Sequence, residues 1–195
     1  MENGDASAHL KESFKAFRDD AIWLRHCYDM YRELYEADGE RDALLLRTAG
    51  SFFFDLNIIL TEYLILQIAK LTDPAMSKVR GGKRDNLTVE YLDASLTKQG
   101  LMVPEIISIS GRLKTYRNLV DDTRNKLVGH NDLKARLANQ SIGRHARQEV
   151  ENFFEDLQKY CDAVGCQIGV GPLDFRTQAG PGDVIDLIRV LQSDT

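Results

Sequence analysis

The sequence predicts an all-α protein, a bundle of five to six helices, and three observations carry that prediction. Apolar residues recur at the 3.6-residue spacing of amphipathic helices over most of the chain. The four prolines, Pro74, Pro104, Pro172 and Pro181, interrupt none of the long periodic stretches. No run of alternating apolar and polar residues stands out as a strand.

The first helix is read over residues 9–36, where Phe14, Phe17, Ala21, Leu24, Tyr28, Tyr31, Leu34 and Tyr35 share one side. Asp38-Gly39 is its stop. A second helix covers residues 42–71. Its apolar residues run nearly all round, through Phe52, Phe53, Phe54, Ile58, Ile59, Tyr63, Leu64, Leu66 and Ile68, so the helix is central to the bundle or lies at an interface. Asp55, Asn57, Thr61, Glu62 and Gln67 break this run, and the helix is expected to be buried in protein and not to span a membrane. Thr72-Asp73-Pro74 stops it.

Residues 75–86 contain Gly81-Gly82 and the basic side chains Lys78, Arg80, Lys83 and Arg84, and are read as a mobile loop. Asn86 or Thr88 caps a short helix that reaches residue 98 and ends at Gly100. The next helix begins near Pro104, carries Ile107, Ile109, Leu113, Tyr116, Leu119 and Val120, and leads into residue 124. A last long helix spans residues 144–164, with Val150, Phe153, Phe154, Leu157, Tyr160 and Cys161 on one side. Residues 165–182 are Gly-rich and irregular, and Asp183 starts a short amphipathic piece over residues 184–191. The expected organisation is a helical domain of residues 1–165 with a C-terminal extension, residues 166–195, packing on it.

A chain of 195 residues suffices for one domain with a real core. Its formal net charge of -5 argues against broad, non-specific nucleic-acid binding, though not against a small basic cleft. The cysteines, Cys27, Cys161 and Cys166, are few and odd in number, as expected of reduced thiols in the cytoplasm. Cys161 and Cys166 have no His cluster near them in the spacing of a zinc site, so no metal or other cofactor is expected. The N-terminus, Met-Glu-Asn-Gly-Asp, lacks the basic and apolar regions of a signal peptide, and no membrane partner is expected.

The most informative stretch is Arg124-Asn125-Lys126-Leu127-Val128-Gly129-His130. Arginine is a permanent cation whose planar fork of donors suits phosphate. Histidine takes up or releases a proton near neutral pH. Arg124 and His130 are six residues, about 120°, apart on an ideal helix, and Gly129 allows the chain to break just before the imidazole. Asp121 lies three residues before Arg124, within reach of an ion pair that orients the guanidinium. Asp132 can do the same for His130. The plainer reading is that Arg124 pairs with Asp121 on a solvated face while His130 sits at a helix C-terminus, where the dipole favours its charge.

Residues 124–132 resemble the HEPN superfamily, specifically its abortive-infection U-type branch. The wider pattern is also similar: a long first helix with Trp23, an aromatic-rich second helix ending Ala69-Lys70-Leu71-Thr72-Asp73, a variable loop, and Asn86-Leu87-Thr88. The resemblance covers most of residues 10–165. It implies a homodimeric helical bundle that brings two Arg…His motifs into one cleft. Many relatives of this kind are metal-independent endoribonucleases of toxin or phage-defence type, whereas others bind a nucleotide or partner a nucleotidyltransferase antitoxin. On the first implication Arg124, Asn125 and His130 are catalytic, Asp121 and Asp132 support them, and RNA is the substrate. Lys78, Arg80, Lys83, Arg84 and Lys126 are then candidate RNA contacts. His26 reads as an ordinary helix-face residue, and His145, between Arg144 and Arg147, as part of a solvated first turn, with a phosphate contact as the alternative. Gly165, Gly169 and Gly171 lack the spacing and the preceding strand of a phosphate loop.

Overall fold

The structure, a computed structural model, describes residues 2–123, 147–173, 175 and 180–193. Helix α1 runs over Glu2–Tyr35 and α2 over Gly39–Thr72. Strands β1 (Met76–Val79) and β2 (Gly82–Asp85) follow, then α3 (Val89–Lys98), α4 (Pro104–Thr123), α5 (Arg147–Ile168) and α6 (Val184–Ser193). The protein is all-α, with one small hairpin among the described residues.

Local signals explain most boundaries. Asp38 is the N-cap of α2: its side chain accepts the Arg41 backbone N–H at 2.8 Å. The Asp38-Gly39 pair therefore opens the second helix as much as it closes the first. Thr88, not Asn86, caps α3 by accepting from the Tyr91 N–H at 3.3 Å. Gly100, at φ +69°, turns the chain out of α3. Asp183 caps α6 by accepting from the N–H groups of Ile185 (2.9 Å) and Asp186 (3.1 Å).

Residues 75–86 are not the loop expected from sequence. Met76 pairs with Asp85, Ser77 with Arg84 and Lys78 with Lys83 in an antiparallel hairpin whose two-residue turn is Arg80-Gly81. Gly81 takes φ +105°, which a Cβ would oppose. Asn86 closes the base, with its backbone N–H to Ala75 O at 2.8 Å and its Nδ2 to Pro74 O at 2.9 Å. Those bonds span the hairpin and leave no periodic trace in so short and polar a stretch.

The main core unites α1, α3, α4, α5 and the second half of α2. Phe17, Val89, Leu92, Leu96, Ile106, Leu113, Leu157 and Tyr160 are wholly buried in it. Tyr160 ties α5 to α3 through its hydroxyl, which donates to Asp93 Oδ1 at 2.9 Å. A separate cluster joins Leu34, Leu44, Leu45, Phe53 and Ile188, so α6 packs on the end of α1 and the first part of α2.

Helix α2 departs most from expectation. Ala49 leaves the helical region (φ -158°, ψ 63°), and the helix kinks there, beside Gly50-Ser51. Beyond the kink one side of α2 is open, so this chain does not enclose it as it would a wholly central helix. Phe52 (61%), Phe54 (67%) and Ile59 (61%) stand exposed, with Ile58 and Leu66 beside them. By length and composition α2 could cross a membrane, and only 28% of its most apolar window is buried. Asp55 is exposed within this apolar face, a carboxylate more easily carried at a protein surface than in hydrocarbon.

Candidate functional site

Helices α4 and α5 pack antiparallel. Arg112 of α4 grips Asp156 of α5 (2.7 Å), and Tyr116 lies against Phe153 with ring centroids 4.8 Å apart. The end of α4 and the start of α5 therefore lie at the same end of this helix pair. The connection between them holds Arg124, Asn125, Lys126, His130, Asp132 and His145, all of which lie outside the described residues. What the structure describes is the two helix ends that carry this connection.

At the α4 end, Asp121 is in an ion pair with Arg117 at 3.3 Å, one turn back on the same helix. The expected pair of Asp121 with Arg124 involves a residue outside the described ones. Arg117 also reaches Asp73 Oδ1 at 3.3 Å, just past the end of α2. The guanidinium thus joins α4 to the Lys-Leu-Thr-Asp ending of α2. Sequence reasoning missed Arg117. Its spacing of four from Asp121 was a usable signal, but its pairing with Asp73 across 44 residues was not.

At the α5 end, Arg147 Nε pairs with Glu151 at 3.1 Å and with Glu36 at 3.6 Å, and Arg32 reaches Glu151 at 3.6 Å. Beneath them Tyr28 is 2% exposed and stacks on Phe154 at 4.2 Å. Burial, and next the Glu36 carboxylate, push the Tyr28 phenol up to about 12. It is a neutral group throughout the physiological range.

The four hairpin cations do not form one array. Lys78 and Lys83 are cross-strand partners on one face, Arg80 sits in the turn, and Arg84 shares the opposite face with Ser77. That second face borders a groove lined also by Asp20, Leu66, Gln67 and Lys70. His26 stands beside Trp23 on α1, with ring centroids 5.5 Å apart. Cys27 and Cys161 are buried in the core, where burial raises both thiols, and Cys166 is exposed. Gly165 and Gly171 have a packing role instead of a phosphate-binding one. A Cβ on Gly171 would lie 2.9 Å from Gly165 Cα, so the two glycines let the tail cross α5 in backbone contact.

Residues 7–187 match the family model of the AbiU2 HEPN domains. No curated protein matches the chain. No solved structure matches it either.

Proposed function

Because the chain belongs to the AbiU2 family of HEPN proteins, we propose that it is a metal-independent endoribonuclease acting in abortive infection, as a toxin or phage-defence effector. The observation that carries this reading is the intact Arg124-Asn125…His130 set within a chain that matches the family almost end to end. In the proposed reaction the 2′-oxygen of RNA attacks the adjacent phosphorus, and the bond from phosphorus to the 5′-oxygen breaks. One His130 imidazole takes the 2′-OH proton, and a second, protonated, gives its proton to the leaving oxygen. The products are a 2′,3′-cyclic phosphate and a 5′-hydroxyl. Arg124 holds the phosphate and stabilises charge building on its oxygens. Asn125 fixes the nucleotide by hydrogen bonds. Each chain supplies one such imidazole, so the reaction calls for a homodimer.

A second reading is a non-catalytic module that docks a nucleotide or a partner protein, such as a nucleotidyltransferase antitoxin. The exposed apolar face of α2 favours it, since large contiguous apolar surface marks an interaction site.

The deciding experiment incubates pure protein with labelled total RNA in EDTA, beside His130→Ala. Cleavage with cyclic phosphate ends, lost in the variant, supports the ribonuclease. Activity that needs added magnesium overturns the mechanism. Intact RNA throughout favours the docking module.

A further inference from the structure

The chain has one tryptophan, and the fold leaves it 52% exposed on α1. The ring is nevertheless held in place. Trp23 Nε1 donates to the Tyr63 hydroxyl of α2 at 2.7 Å, and the His26 ring lies beside it at 5.5 Å, tilted by 36°. Asp19 and Ile22 complete a shallow hollow around the indole. A fixed indole with an open side is a stacking surface for a planar ring.

The surroundings say which planar ring. Toward the N-terminus of α1, Asp20 meets Lys70 of α2 at 3.4 Å. The same two residues line the groove that ends at Arg84 of the hairpin. Tyr63 and Lys70 are seven residues apart on α2, about 10 Å, so one stretch of single strand can touch both. Charge changes along this path. Asp19 lies 3.9 Å from Arg18, and Asp20 is offset by Lys70. Among the described residues Arg84, at the end of the groove, enters no ion pair, and Lys78, Arg80 and Lys83 do not line the groove. The groove itself takes Arg84, with Asp85 beside it, while its other carboxylates, Asp20 and Asp73, are matched by Lys70 and Arg117; a stacking platform leading to such a cation has the parts of a single-stranded nucleic-acid track. An acidic protein segment would use the cations and leave the indole idle.

We propose that this groove binds single-stranded RNA, with a base stacked on Trp23 and the neighbouring phosphates held by Lys70 and Arg84. The identity of the ligand rests on the ribonuclease reading; Trp23, Lys70 and Arg84 are residues other than those of the Arg124–His130 motif.

Because Trp23 is the only tryptophan, its fluorescence reports the site directly. A labelled 2′-O-methyl oligouridylate of about twelve nucleotides, within the usual footprint of such tracks, cannot be cut by 2′-OH attack. Titrating it should quench Trp23 in step with the rise in label anisotropy. Trp23→Ala should weaken binding about ten-fold, with Trp23→Phe in between. Arg84→Gln, a surface change that leaves folding intact, should lower the log–log salt slope by about 0.7. Binding without quenching, or wild-type affinity in both Trp23→Ala and Arg84→Gln, overturns the track. The ribonuclease reading survives that result if natural RNA is still cut. If the oligonucleotide does not bind and natural RNA stays whole, both fall together. Fluorescence that shifts on dilution but not with RNA gives the face to a second copy, and the track is wrong.

Discussion

Arg117 holds two carboxylates at once: its Nε lies 3.3 Å from Asp73 Oδ1, and its terminal nitrogen lies 3.3 Å from Asp121 Oδ2. All three side chains are partly buried, so solvent screens the network less than it would an exposed pair. The arrangement ties the last turns of α4, which lead to the Arg124 segment, to the end of α2. Arg117→Ala should lower unfolding free energy by about 1–2 kcal/mol. Arg117→Lys should recover part of this, because an ammonium cannot fork between two partners. Urea denaturation, with a double-mutant cycle against Asp73→Ala, measures both.

Under the proposed chemistry, His130→Ala should reduce RNA cleavage by about two to four orders of magnitude. Arg124→Lys should be nearly as damaging, and the double variant little worse than either single one, since both act on one transition state. Single-turnover cleavage, with circular dichroism as the folding control, decides the matter. Full activity in Arg124→Lys would return that residue to a surface ion-pair role.

The exposed face of α2 should be covered by a second copy. Phe52, Ile59 and Leu66 recur every seven residues along one edge of the helix and are all exposed. Light scattering at micromolar concentration should give a dimer. Phe54→Glu with Ile59→Glu should give a folded monomer that has lost cleavage. A wild-type monomer would contradict the two-imidazole mechanism.

Gly165 and Gly171 should not tolerate a side chain. Alanine at either would set Cβ about 3 Å or less from the other's Cα, and backbone cannot move aside as a flexible side chain does. A loss of about 1–3 kcal/mol is expected. Gly111→Ala is the contrasting case. Its Cβ would meet nothing within 4 Å and it lies inside α4, so a gain of about 0.5–1 kcal/mol is expected.

Alkaline pH should destabilise the fold. Tyr28 is pushed up from 10.0 to about 12, mainly by burial. Above pH 10 the unfolded chain releases this proton while the folded one keeps it. The stabilisation is therefore complete below pH 10 and is lost as pH rises through 12. Burial shifts Tyr116 and Tyr160 the same way. The urea midpoint should be flat near neutrality and fall above pH 10, less steeply in Tyr28→Phe.

What could be read in advance followed the range of the interactions involved. Thr88 and Asp183 were legible as caps because each bonds a backbone N–H within three residues. Leu113, Phe154 and Tyr160 were legible as core because helical periodicity alone sets them on one face. The hairpin at Met76–Asp85 was not, because its strands are four residues each and mostly exposed. No apolar alternation marks such strands; cross-strand bonds make them.

By itself, then, the sequence determined the helices, most of their caps and, through residues 7–187, the family. The tertiary structure alone decided which apolar faces are covered. Periodicity gives the direction in which a face points, but burial depends on what packs against it. That is why α2, apolar nearly all round, proved to be open on one side. The tertiary structure also decided the partners of Arg117 and Trp23, which come from 44 and 40 residues away. Pairing at that separation is set by how the helices cross, and no local pattern in the chain records it.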